Sequence, residues 1–269
     1  MTFGWRVYGL GVMAMGLVCL AWGSFDPGQP APKDLPDRTV LAYVAAAFMF
    51  LAGAAVERRR TAAWGGGALA AYFALVVVLL MNGRLLPTHY TEYGLYSGAA
   101  EQLAIAAGGL IVYAANAGID PPLAARLTRI GRLAFGVCAV LFGGAHFIYM
   151  NLTAPLVPSW LPPTQVFWGY ATGIAHTAAG VALLTGVQAR LAAILLTVMY
   201  ASFTPLVHIP LLLAHPSSFE SWTENALNLA LTGVAWVVAD SLAMSSRTQP
   251  RSGGDPGPTS RQRWQADPG

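Results

Sequence analysis

Three histidines, two asparagines and a threonine recur at helical steps in the second half of the chain, and together they could hold and protonate a small polar ligand. His146 follows Gly136, Ala139 and Gly143, and His176 shares a stripe with Gly169, Gly173 and Gly180. His208 follows Thr197, Ala201 and Thr204, and Asn225 and Asn228 precede Thr232. Steps of three and four place each set on one helix face. Imidazole titrates near neutrality and suits proton transfer, while amides and hydroxyls would orient a ligand by hydrogen bonds. Asn151 and Trp160 lie between the first two histidines, in "HFIYMNLTAPLVPSWLPP". Earlier in the chain only Glu101 and Gln102 interrupt an apolar run. Glu101 is the secondary candidate, because a carboxylate in hydrocarbon must be paired, hydrated or protonated.

These residues sit in segments that read as membrane helices. Hydrophobic residues make up 55% of the 269 and charged residues 10%, against roughly a quarter charged in a soluble domain. Continuous apolar runs fall near 5–24, 39–56, 64–83, 97–115, 130–150, 166–186, 189–209 and 223–243. Each approaches the roughly 20 residues that span a bilayer core, and none alternates as a barrel strand would. The expectation is an all-α integral membrane protein with eight transmembrane helices. The first run has only Arg6 as a charged leader and no small-x-small cleavage site before "FDPGQPAP", so it reads as a true span. Cys19 and Cys138 fall inside runs and read as small buried hydrophobes.

Orientation follows from the basic residues. With the N-terminus inside, twelve of the fifteen fall on the inner side, leaving Lys33, Arg38 and Arg84 outside. Both termini are then cytoplasmic, and the setting expected is a bacterial inner membrane. Trp22, Tyr149, Trp160, Trp168 and Trp222 fall at the outer boundary, where amphipathic rings lie. The arginines occupy separate short loops, so the net charge of +3 is a topology signal and no nucleic-acid partner is implied.

A weak internal repeat runs in order along the chain. A shift of about 120 residues pairs Gly11, Gly16 and Gly23 with Gly131, Gly136 and Gly143. One of about 127 pairs Ala52 and Gly53 with Ala179 and Gly180, and places Met49 on His176 and Met81 on His208. Two like-oriented four-helix bundles are expected, as parallel repeats. Their bounds are 1–116, a divergent scaffold, and 130–244, with a cytoplasmic linker over 117–129 and a disordered tail over 245–269. The proline-rich stretch after His146 cannot be regular helix, and irregular backbone survives at membrane depth only under protein cover. It is expected to fold over the outer mouth of the second bundle with Trp160 as anchor, or else to lie at the headgroups.

The stretch 146–240 resembles the DoxX family of bacterial membrane proteins, through "HFIYMNLTAPLVPSWLPP", "YATGIAHTAAGVALL" and the last apolar run. The resemblance implies a four-helix membrane unit and an association with membrane oxidoreductases, as in a thiosulfate:quinone oxidoreductase subunit. Members often carry Gly-x-x-Glu in the sixth run, whereas Gly173 is followed here by His176. Three functions stay open. The chain could be a redox-linked subunit whose pocket holds a quinone head group; a transporter of a small solute or protons; or a non-catalytic assembly partner. The partners expected are the lipid bilayer and either a redox protein or further copies of the chain. The absence of CxxCH argues against haem, no metal site is suggested, and no nucleotide or hydrolytic motif is present.

Overall fold

The computed structural model describes residues 3–248. Every regular element in that range is helical. Eight long helices follow one another: α1 (Gly4–Trp22), α2 (Arg38–Val56), α3 (Ala62–His89), α4 (Tyr93–Asn116), α5 (Pro121–Ile148), α6 (Gln165–Thr185), α7 (Ala189–Ala214) and α8 (Phe219–Thr248). The tail expected to be disordered from residue 245 begins as the last turn of α8, and residues 249–269 lie outside the described range.

Helix ends follow the local sequence. Gly23 and Gly186 close α1 and α6 at φ 60° and 83°, a left-handed conformation that other residues resist. Thr164 caps α6 by accepting the Phe167 amide at 3.1 Å, and Asp120 caps α5 by accepting the Leu123 amide at 3.1 Å. The linker expected over 117–129 therefore shrinks to 117–120. Pro121 and Pro122 begin α5 instead of separating two helices, since the first turn has no use for their missing amides.

Among the described residues, seven helices are long and apolar enough to cross a membrane, by length and composition; α6 is not among them. Its Gln165, threonines and His176 dilute its hydropathy. Even so, Val166, Tyr170, Ile174, Val181 and Leu184 are exposed along one side of it. Helix α6 thus has an apolar outward stripe and a polar inward one.

Each helix packs on the next in the chain, α8 returns to α1, and α4 meets α8 across the middle. Without a hydrophobic drive between helices in lipid, such contacts depend on small residues that let backbones approach. A methyl built on Gly11 would lie 2.3 Å from the Ala230 nitrogen, and one on Gly233 2.2 Å from the Tyr8 nitrogen, so α1 and α8 touch backbone to backbone. Tyr8, fully buried at this crossing, donates its hydroxyl to the Ile105 carbonyl of α4 at 3.0 Å. The glycine stripes of α5 and α6 meet as their spacing predicts, Gly136 facing Gly180 and Gly143 facing Gly173. Cys19 and Cys138 are both buried and free.

Two helices leave α-geometry. In α3 the stretch Tyr72–Asn82 is π-helical, and in α7 the stretch Thr204–His208 is. The second contains Pro205, which offers no amide to the turn before it.

Candidate ligand cavity between the last four helices and α4

A cavity of about 300 Å³ opens among α4, α5, α6, α7 and α8. His146, His176 and His208 all line it, from three different helices. The His146 and His176 rings stand 5.0 Å apart between centroids, and His176 lies 5.5 Å from the Tyr200 ring. Phe142 meets the edge of His176 at 6.0 Å, and Phe203 closes the other side.

Hydrogen bonding fixes the state of two imidazoles. His146 Nδ1 lies 2.9 Å from the Phe142 carbonyl and His176 Nδ1 lies 2.8 Å from the Thr172 carbonyl. A carbonyl only accepts, so both Nδ1 atoms carry the proton. In each neutral ring Nε2 is then a bare lone pair. His208 differs, because its buried Nδ1 has no partner within the protein.

Asn228 joins α8 to the irregular part of α7, donating its amide to the Tyr200 carbonyl at 3.0 Å and to the Thr204 hydroxyl at 2.9 Å. Thr204 is thus engaged in positioning and does not line the cavity. Asn225, expected on the same face as Asn228, stands outside the lining, with Nδ2 unpartnered. Asn151 and Trp160 are not brought to the cavity: both are exposed, Trp160 at 70%. Their loop nonetheless borders the mouth through Thr153, Leu156 and Val157. Trp160 therefore does not anchor that loop onto the bundle. The Val157 carbonyl instead accepts from Gln165 Nε2, and the Pro162 carbonyl from Trp168 Nε1 at 2.9 Å.

Ser97 and Glu101 of α4 line the same cavity, facing Glu224 of α8. The two carboxyls lie within electrostatic reach of each other and of Asp26. Glu224 and Tyr200 were not among the residues expected at the site. Glu224 sits at the edge of the last apolar run and reads as a solvated helix end. Its four-residue step to Asn228 is the signal that places it on the cavity stripe. Among the described residues, no group of three or more His, Cys, Asp or Glu side chains is arranged to hold a metal ion.

The loop between α1 and α2 folds into the first half. Phe25, Asp26, Gln29 and Ala31 are all buried. Gln29 donates to Met49 Sδ at 3.2 Å and accepts the Tyr72 hydroxyl at 3.0 Å. Asn82 donates to the Gly28 carbonyl at 3.3 Å, and Arg84 donates to the Pro30 carbonyl. Asp26 accepts the Gly28 amide at 2.9 Å through one oxygen and leaves the other unpartnered. Burial pushes its carboxyl up to about 6. A carboxyl raised on folding contributes stability that is complete below its ordinary value of about 4 and is lost as pH rises through about 6. Melting temperature measured in detergent should therefore fall between about pH 4 and 6 and level off above. Asp26→Asn should flatten that slope and raise stability by a few degrees above pH 6; an unchanged slope would refute the assignment.

Fold and cavity together define a helical protein whose apolar helices are compatible with a membrane, with a chamber lined by histidine and glutamate side chains between α4 and the last four helices. A family described as a domain of unknown function (DUF8561) matches residues 133–240, the stretch that supplies most of that lining. No curated protein and no solved structure matches the chain.

Proposed function

We propose that the chain crosses the inner membrane eight times, as two like-oriented four-helix units with both termini cytoplasmic, and that the second unit binds the head group of a quinol-type carrier and takes up its protons. The DoxX resemblance of 146–240 belongs to this reading, and the redox association it implies points the same way. One observation carries it: the cavity presents hydrogen-bonding and proton-relay groups. His146 and His176 engage Nδ1 with backbone carbonyls and in the neutral form offer Nε2 lone pairs, Glu101 and Glu224 add carboxyl groups, and the walls are the rings of Phe142, Tyr200 and Phe203. A ring bearing two hydroxyl donors complements such a lining; when a redox partner protein removes the two electrons of the quinol, the two protons that leave with them have the imidazoles to receive them.

Several features support the eight-span repeat. The outward apolar stripe of α6 suits lipid despite its polar interior face. The contacts of α1 with α2 and α8 correspond to those of α5 with α6 and α4. On the shift of about 127 residues, Met49 occupies the place of His176, and in the first half Gln29 fills the space against it. One unit would then keep its chamber open while the other is plugged by its own loop.

A second reading, transport of protons or a small solute, is favoured by the π-helical stretches. Residues 77–82 of α3 and 204–209 of α7 correspond on the same shift, and most of both stretches departs from α-geometry. Matched irregular helices are what alternating units use to move around a central site.

The test is titration of the purified protein with a short-chain quinol, followed by ring fluorescence, and then oxidation of the bound quinol with ferricyanide while proton exchange with the medium is recorded. His176→Ala should weaken binding about tenfold, the loss of one good hydrogen bond to a desolvated hydroxyl. Glu101→Gln should leave binding within a few-fold and reduce proton uptake. Quinol binding that is absent, or indifferent to His176, would overturn the redox reading. Solute-dependent proton uptake into vesicles in its place would favour transport.

A further inference from the structure

A second cavity of about 580 Å³ lies at the opposite end of the helices, among the starts of α1 and α5, the end of α4, the α2–α3 turn and α8. Among the described residues, its lining contains Arg59, Arg129 and Arg132 and no carboxylate. The face of α5 turned towards it runs Ala125, Thr128, Arg129, Arg132, at helical steps. Arg132 is half-buried against this space, and Arg59 and Arg129, both exposed, border it from the rim. Arg132 Nε is buried there without a partner in the protein. The remaining wall is apolar, formed by Trp5, Ile111, Leu242 and small alanines.

The geometry points to a binding site for a phosphoryl group carried on an apolar body, of the kind an anionic phospholipid presents. Three guanidinium groups gathered around one space favour an anion between them, and a phosphate accepts their forked donors better than any other small group. The apolar wall would receive the glycerol and first acyl carbons. Basic pockets between membrane helices on the cytoplasmic side hold such headgroups, and positive-inside orientation puts this end there. The helices involved, α1, α4, α5 and α8, are those through which the two halves meet. A lipid bound here would wedge the seam between halves. The site is independent of the histidine chamber at the far end.

The test uses the full chain in neutral detergent. Thermal stability and native mass spectra are recorded with phosphatidylglycerol, with phosphatidylcholine, and with inorganic phosphate alone. Phosphatidylglycerol should stay bound and raise the melting temperature, and phosphatidylcholine should not. Arg129→Gln and Arg132→Gln should each lower affinity about fivefold, and Arg126→Gln, outside the cavity, by less than about twofold. A response to inorganic phosphate as strong as to phosphatidylglycerol would place a soluble phosphate in the same arginine site. If the variants fail to fold, the wild-type comparison decides: equal response to both lipids and none to phosphate overturns the proposal. So does an Arg126→Gln loss equal to that of Arg129→Gln.

Discussion

Gly233→Ala should cost the protein its folded, monodisperse state in detergent, whereas the same change at Gly98 should be harmless. A methyl at position 233 would meet the Tyr8 nitrogen at 2.2 Å and its Cα at 2.4 Å, both backbone atoms that cannot rotate aside. To reach the roughly 3.5 Å of ordinary contact, α1 and α8 must part by about an ångström. Tyr8 is wedged there against Gly108 and Gly109 as well, so the gap propagates into α4. Overpacking of this kind costs about 1–3 kcal/mol even where side chains can adjust, and here they cannot. Gly11→Ala should behave alike, because its methyl would lie 2.3 Å from the Ala230 nitrogen. At Gly98 a methyl meets nothing within 4 Å, and alanine there should gain about 0.5–1 kcal/mol of helix propensity. Size-exclusion profiles of the three variants check this; three equal profiles would mean that α1 and α8 are not in backbone contact.

Asn228→Leu should destabilise the chain by about 2 kcal/mol, and by less when Pro205→Ala is also present. In α or π register the amide of residue 205 would serve the carbonyl of Ala201 or of Tyr200, four or five positions back, and proline has none to give. Asn228 donates to the Tyr200 carbonyl and to the Thr204 hydroxyl, tying that turn to α8. Leucine removes both bonds inside a region where water cannot substitute. An alanine at 205 restores one backbone donor to the same turn, so the two changes should be non-additive by about 1 kcal/mol. Strict additivity in thermal or denaturant unfolding would show that Asn228 does not serve the break in α7.

How far the sequence discloses this protein depends on the scale of the feature. Apolar runs mark the eight helices to within a few residues, except that α5 begins at Pro121, where proline starts a helix instead of stopping it. The stripes of glycine and histidine predict which faces meet, and His146, His176, His208 and Asn228 do converge. Glu224 escapes notice because a charge at the edge of an apolar run looks solvated until the neighbouring helices are placed around it. The π-helical stretch of α3 carries no proline, and its polar ties, Tyr72 to Gln29 and Asn82 to Gly28, run to a loop more than forty residues away. Asn151 and Trp160 lie near His146 in sequence, yet the loop carries both outward into exposure.

The return of α8 onto α1 sets an order of events during synthesis. Gly11 and Ala230 are separated by more than 200 residues of chain. At about 5–20 residues per second a ribosome needs roughly 10–40 s to make that stretch. Throughout that interval the nascent α1 sits in the bilayer with its tightest contact face unclaimed, and a chain released early would carry the vacant groove permanently. Premature termination before α8 should therefore yield a product recognised by membrane proteolysis, even though every helix of the first half is already made.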